Sequence, residues 1–199
     1  MPLRKITRAS TSCAISTCVP THSDSSLSNA SYKPAITLWY DYLSGTSDED
    51  QRNGKWKSFD TLYDTGHKYY GLQDVFLGIG YGGSKGTQGL GLQDLAVKLK
   101  LNPVAGWTLK ADYHYFYTAE SVNANTATRG NTTANGAVDN GHFLGNELDI
   151  TAVNKWNANT KVMIGYSQYT GTSSFRMLKG ASVGSNGANW AYVQFDVKF

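Results

Sequence analysis

Six segments of the chain alternate between apolar and polar side chains, and this pattern limits the possible folds more than any other feature. In the segment 107–117, Leu109, Ala111 and Tyr113 alternate with Lys110, Asp112 and His114. The other five segments lie near residues 36–42, 95–102, 147–153, 161–167 and 191–199. Successive side chains of a β-strand point to opposite faces of a sheet, so each segment is predicted to form a strand with one apolar and one polar face.

The composition agrees with an all-β fold. Aromatic residues make up 13% and charged residues 17% of the chain, which contains 21 Gly and 4 Pro. A disordered chain has fewer aromatic residues, whereas strands joined by glycine-bearing loops fit this composition. No apolar run approaches the ~18 residues of a transmembrane helix. The net charge of +3 is too small for a dense basic stripe, so we expect no nucleic-acid partner.

The lengths of the strands and their connections favour a membrane barrel. Strands of about 10 residues match the length that crosses a bilayer at a tilt. Short connections at 102–106 and 157–159 alternate with long ones at 44–91, 119–143 and 170–189, as in outer-membrane barrels. Aromatic residues gather at both ends of the strands: Trp107, Trp156 and Phe199 at the short-turn end, and Tyr40, Tyr42, Tyr115, Tyr117 and Trp190 at the other. The fold class predicted is an antiparallel transmembrane β-barrel segment of about six meander strands, an incomplete barrel.

If the apolar face meets outer-membrane lipid, the polar face lines water, because ionised groups in mid-strand are too costly to place in hydrocarbon. The predicted lining of the solute path is Lys98, Lys100, Lys110, Asp112, His114, Glu147, Asp149 and Lys161. Trp39, Phe116 and Tyr192 are expected to add aromatic faces for a sugar. The alternative is a soluble β-sheet carbohydrate-binding module with a Tyr-rich face, since soluble sheets alternate as well.

The N-terminal segment 1–33 differs from the rest. It is rich in Ser and Thr and carries both cysteines, Cys13 and Cys18. Basic residues stand at its start, but no apolar signal-peptide core follows them. We expect residues 1–33 to be disordered or non-native and residues 34–199 to form the C-terminal portion of a barrel. Localisation in the bacterial outer membrane is expected without a visible signal peptide.

Other motifs give weaker predictions. Gly78, Gly80 and Gly83 match a dinucleotide-binding spacing, but no helix start follows them, and a flexible loop is favoured over a cofactor site. The stretch 75–81 is expected to fold inward or lie in a loop rather than form a seventh strand. The histidines have no metal-ligand spacing, so no metal is expected. For Asp48–Asp50 a solvated loop tip is favoured over a calcium loop.

Two pairs of ionisable residues raise an enzyme hypothesis. Asp112 lies near His114 on one strand, and Glu147 and Asp149 form a second pair. Such groups can act as base and orienter in an outer-membrane hydrolase. The favoured explanation is that charges of both signs interleave across the strands that line a lumen. We therefore expect no enzymatic activity.

Three stretches resemble a known family: Leu38–Gly45, Phe59–Asp74 and Leu144–Asp149. Together they are similar to the C-terminal part of the alginate export family of outer-membrane barrels, from about Ile36 to Phe199. The resemblance implies a porin-like channel that passively conducts polyanionic alginate, or another anionic solute, along a basic passage. Within the second stretch, His67, Lys68, Tyr69 and Tyr70 are expected either to contact solute or to pack the loop against the barrel wall.

The chain also departs from this family, whose members are longer and have more strands. Six strands leave two unpaired edges, which lipid does not tolerate. We expect a truncated fragment that conducts only if it closes abnormally or self-associates through its open edges.

Overall fold

A computed structural model of the chain describes residues 32–59, 66–77, 86–122, 141–179 and 187–199. These residues form one six-stranded antiparallel sheet in which each strand pairs with its neighbour in sequence. The strands are β1 (Ala35–Leu43), β2 (Leu92–Leu101), β3 (Trp107–Val122), β4 (Gly141–Lys155), β5 (Thr160–Gly171) and β6 (Gly187–Val197). The predicted all-β meander of six strands is confirmed.

The apolar face of the sheet is exposed. It carries the alternating apolar residues of all six strands, among them Ile36, Leu38, Leu95, Val97, Leu109, Ile150, Ile164 and Val193. Ile164 is 53% and Val193 58% exposed, whereas Asp94, His114 and Glu147 on the opposite, polar face are buried. A water-soluble sheet buries its apolar face and solvates its polar one. This sheet has the reverse arrangement.

Several strands extend further than the alternation predicts. β3 contains 16 residues and β4 contains 15, because pairing continues beyond the predicted segments at the long-loop end. At the other end, β6 stops at Val197, so Phe199 lies beyond the last strand.

Trp190 is the cross-strand partner of Ser167 and stacks on the ring of His67. Its predicted place in an outer aromatic rim is wrong, since it lies on the polar face.

Two short helices lie in the described parts of the long connections. Helix α1 (Asp48–Arg52) begins at Ser47, whose hydroxyl accepts a hydrogen bond from the Asp50 backbone N–H. The acidic run 48–50 therefore forms the first turn of a helix. Helix α2 (Ser173–Lys179) buries Phe175 and Leu178. None of the helices in the described ranges is long and apolar enough to cross a membrane.

The hydrophobic core lies on the polar face, at its long-loop end. Its buried members come from five strands, the β1–β2 connection and α2: Leu43, Phe76, Leu90, Leu92, Phe116, Val122, Leu144, Tyr169, Phe175 and Leu178. Loop 66–77 reaches this core through Phe76 and has no strand structure. The prediction of an inward fold for residues 75–81 fits residues 75–77, and the remainder, with the glycine motif at 78–83, lies outside the described residues. Residues 1–31, including Cys13 and Cys18, also lie outside them.

Candidate functional site: the polar face of the sheet

The strand register arranges the polar face in three levels. Directly paired residues of an antiparallel sheet share one face, so each level follows from the pairing. The upper level is the hydrophobic core at the long-loop end. The middle level contains Trp39, Ala96, His114, Glu147 and Tyr169 in one row, and Lys98, Asp112, Asp149, Ser167 and Trp190 in the next. The lower level, towards the short turns, contains Lys100, Lys110, Thr151, Gly165 and Tyr192 in one row and Lys155 and Lys161 at the end.

The lower level is basic, and its four lysines are exposed. Lys100 and Lys110 are direct cross-strand partners, and both side chains are exposed. Neither forms an ion pair with any residue of the described ranges. Lys155 and Lys161 form a second such pair, although Lys161 also faces Asp196 across β6. Like charges placed directly opposite repel one another, so this level attracts anions.

The middle level is a buried network of charged groups. His114 Nδ1 lies 2.8 Å from Asp94 Oδ1, and both side chains are buried. Lys98 Nζ lies 3.3 Å from His114 Nε2 and 3.3 Å from Asp112 Oδ2. His114 Nε2 also lies 3.9 Å from Asp149 Oδ2, so the imidazole is placed between the carboxylates of Asp94 and Asp149.

Loop 66–77 is bound to this level by its backbone. The Gln73 N–H donates to Glu147 Oε1 over 2.8 Å, and the Leu72 N–H donates to Asp149 Oδ2 over 3.3 Å. Consecutive backbone N–H groups that converge on carboxylates form a small anion-binding nest. The approach is close, because a Cβ atom placed on Gly71 would lie 2.6 Å from the Glu147 carboxyl group. The two buried carboxylates therefore hold the loop on the wall.

Three buried oxygen atoms of the middle level have no hydrogen-bond partner in the described structure. They are Glu147 Oε2, Asp149 Oδ1 and Ser167 Oγ. Glu147 and Ser167 are fully buried, and Asp149 is 3% exposed. In each carboxylate one oxygen serves the loop and the other is left without a donor. Ser167 is the cross-strand partner of Asp149 and lies on the same face.

The four loop residues proposed to contact solute are all described, and aromatic packing dominates their contacts. Tyr69 stacks on Trp39 with 6.4 Å between ring centroids, and the Tyr70 hydroxyl donates to Asp41 over 2.9 Å. Lys68 Nζ lies 5.0 Å from the centre of the Tyr69 ring. His67 stacks on Trp190 at 4.5 Å, and Trp190 stacks on Tyr192 at 4.6 Å. These contacts are those of a loop packed against the wall.

The upper level closes this end of the face. Phe76 packs against Phe116, Tyr169 and Phe175 with ring centroids 4.9, 5.8 and 6.2 Å apart. Phe116 is fully buried beneath it. The expectation that Phe116 lines a hydrated path is wrong, because loop 66–77 covers it.

Sequence reasoning placed the eight predicted lining residues on one face, and the structure brings them together there. It missed the role of the loop backbone at Leu72 and Gln73, since backbone donors have no residue-type signature. The one signal in the sequence was the glycine at position 71, which in the structure has a positive φ of +81°. Within the described ranges no group of three or more His, Cys, Asp or Glu side chains is arranged to hold a metal ion.

An antiparallel meander with an exposed apolar face and a charged, loop-covered opposite face defines a segment of a membrane-type β-barrel wall. The family described as Alginate export matches residues 11–188, so the chain belongs to the alginate export family. This is a transport family, and it associates the chain with polysaccharide export in the outer membrane. A search of curated proteins and a search of solved structures each found no significant match.

Proposed function

We propose that the polar face forms part of the wall of a porin-like outer-membrane passage through which an anionic polysaccharide such as alginate, or a small anionic solute, moves passively. The Lys100–Lys110 pair is the observation that carries this proposal. The two lysines lie directly opposite each other, are exposed and have no acidic partner among the described residues. Such a like-charge pair destabilises the sheet, so stability does not explain it. A carboxylate between the two ammonium groups relieves their repulsion.

The position of these lysines supports entry from the short-turn end. They lie below the buried acidic level, whose carboxylates repel an anion that moves further in. Lysine ammonium groups are strongly hydrated point charges that attract an anion without a fixed geometry. This suits a solute that must leave as easily as it enters. Passage past the middle level then depends on how loop 66–77 lies against the wall.

Planar-bilayer conductance tests this proposal. The wild-type chain is expected to prefer anions, and an oligomer of alginate is expected to reduce the current from the short-turn side. The double variant Lys100→Glu/Lys110→Glu replaces both unpartnered cations and is expected to reverse the ion preference. Lys55→Glu, outside the sheet near α1, makes a charge change of the same kind and is expected to leave the preference unchanged. An unchanged preference in the double variant would contradict the proposal.

A continuous wall also requires partners for the edges of β1 and β6, which pair with no further strand in the described structure. We propose that a second copy of the chain supplies them. Because six is an even number, β6 of one copy runs antiparallel to β1 of the next when both copies have the same orientation in the membrane. Such head-to-tail pairing keeps every polar face on the inside and closes as a ring.

Native mass spectrometry in detergent tests the edge pairing. An oligomer is expected, and Tyr40→Pro in β1 is expected to convert it to monomer, because proline removes a backbone donor and disrupts strand pairing. A wild-type chain that is monomeric at all concentrations would contradict self-association. Solubility without detergent would instead favour the alternative of a soluble carbohydrate-binding module.

A further inference from the structure

We propose that Glu147, Asp149 and Ser167 bind one divalent cation with the ligand preferences of Ca²⁺, and that this ion secures loop 66–77 to the wall. The inference does not depend on conduction of any solute. It concerns the middle level alone, and it rests on the charges and the free oxygen atoms found there.

The charges of the middle level do not balance. Of the four carboxylates of Asp94, Asp112, Glu147 and Asp149, that of Asp112 pairs with Lys98, that of Asp94 pairs with His114, and that of Asp149 lies 3.9 Å from His114 Nε2. Lys98 and His114 are the basic side chains that contact these carboxylates in the described structure, so the carboxylates outnumber the basic groups. Asp112 and Asp149 are moreover direct cross-strand partners. Buried carboxylates must be paired, neutralised by a proton or bound to a metal, so this level needs either a shared proton or a further cation.

The free oxygen atoms indicate where that charge binds. Glu147 Oε1 and Asp149 Oδ2 accept the loop N–H groups, while Glu147 Oε2 and Asp149 Oδ1 accept nothing in the described structure. The Ser167 hydroxyl is fully buried and is also without a partner there, and Ser167 is the cross-strand partner of Asp149. It is an independent sign of a ligand, because a buried hydroxyl without a partner is costly.

The chemistry of these atoms selects the class of ion. Two carboxylates and one hydroxyl provide only hard oxygen ligands, which favour Ca²⁺ and Mg²⁺ over transition metals. The irregular loop and the two strands do not impose octahedral geometry, which favours Ca²⁺. A bound divalent ion removes two negative charges from the middle level. It thereby lets both carboxylates remain ionised and keep the loop N–H groups as donors.

Thermal unfolding of the full chain in detergent, with CaCl₂ as the probe and ionic strength held constant with NaCl, tests the site. Saturating Ca²⁺ is expected to raise the Tm by about 5–10 °C. Terbium is expected to bind in its place and to emit when tyrosine is excited, because Tyr169 is the cross-strand partner of Glu147. Both responses are expected to disappear in Glu147→Gln/Asp149→Asn, which keeps the side-chain shapes and removes the excess charge.

Asp112→Asn is the matched control, because that carboxylate already pairs with Lys98, and it is expected to keep both responses. Ser167→Ala changes a single hydroxyl and is expected to fold and to bind terbium about tenfold more weakly. Ca²⁺ responses that persist in the carboxylate variant, or an unchanged affinity in Ser167→Ala, would overturn the site. A Tm that does not change with Ca²⁺ and rises as the pH falls would also overturn the site, since a proton shared between Glu147 and Asp149 would then balance the charge.

Discussion

At the scale of single residues, the contact between Gly71 and Glu147 is the tightest point of the loop. Gly71 has a φ of +81°, and an added Cβ would lie 2.6 Å from the Glu147 carboxyl group. Gly71→Ala therefore adds backbone strain, worth about 1–3 kcal/mol, and pushes the carboxylate away from the loop. We expect loop 66–77 to become sensitive to limited proteolysis.

Gly54 provides the control for this prediction. Its φ is +67°, but nothing lies within 4 Å of an added Cβ. Gly54→Ala thus introduces backbone strain alone, and we expect it to leave proteolysis of loop 66–77 unchanged. Equal protection of the loop in wild type and Gly71→Ala would show that the loop is not held by this contact.

The ion pair beside α1 gives a prediction on pH. Lys57 Nζ lies 2.8 Å from Asp50 Oδ2, and this contact lowers the pKa of Asp50 below its ordinary value. A lowered pKa in the folded state means that the stabilisation is present above the ordinary pKa of about 3.9 and is lost as the pH falls through the folded-state pKa.

Hydrogen exchange at residues 48–53, corrected for intrinsic rates, measures this effect. We expect local protection to fall below about pH 4 and to fall less in Asp50→Asn, which cannot titrate. The change is expected to be small because the pair is exposed to solvent. The same pH dependence in Asp50→Asn would rule out this carboxylate as the cause.

The limits of sequence reasoning are clearest for single charged residues. Alternation alone placed Lys98, Asp112 and His114 on one face. It could not pair His114 with Asp94, because the partner of a strand residue depends on register, and register depends on turn geometry as well as on pattern. The placement of Lys100 directly opposite Lys110 likewise follows only once the pairing of β2 and β3 is known.

At the scale of elements, Phe76 is the apolar anchor of loop 66–77. It is fully buried and packs against three aromatic rings. Phe76→Ala is expected to cost about 3–5 kcal/mol of unfolding free energy and to release the loop, which should increase ion conductance. Phe195→Ala removes the same side chain from the apolar face, where it is 68% exposed.

We expect Phe195→Ala to leave conductance unchanged, because lipid replaces the lost contact. Single-channel recording distinguishes the two variants. Limited proteolysis checks that the loop is released in Phe76→Ala. If it is released and the conductance still equals that of wild type, the loop does not narrow the passage.

Strands were easier to predict than the other elements for a physical reason. A period of two over seven or more residues has few alternative explanations, so all six strands were found. The helices have five and seven residues, too few for a period of 3.6 to become visible. The inward position of loop 66–77 depends on contacts with five strands that are distant in sequence. No local pattern encodes such contacts.

At the scale of the whole molecule, the account predicts opposite responses from the two faces of one strand. Val193 lies on the apolar face and is 58% exposed, and its neighbour Gln194 lies on the polar face. Val193→Lys is expected to cost about 2–4 kcal/mol if the site is near the bilayer midplane, since the ammonium group meets hydrocarbon. Gln194→Lys, facing water, is expected to cost little.

Urea unfolding of the chain in lipid vesicles measures both changes. The sheet pattern predicts a large loss for Val193→Lys and a small one for Gln194→Lys. Equal losses would indicate that both faces have the same surroundings. The reverse order would indicate a soluble sheet with a solvated apolar face.

The medium in contact with each face can be measured directly by site-directed spin labelling in vesicles, with Cys13 and Cys18 replaced by serine. Labels at Ile164 and Val193 report on the apolar face, and labels at Lys161 and Gln194 report on the polar face. The account predicts that oxygen dissolved in the acyl chains relaxes the first pair and a water-soluble nickel complex relaxes the second. If the nickel complex relaxes the labels at Ile164 and Val193, or if neither reagent relaxes them, the claim that the apolar face meets lipid is contradicted.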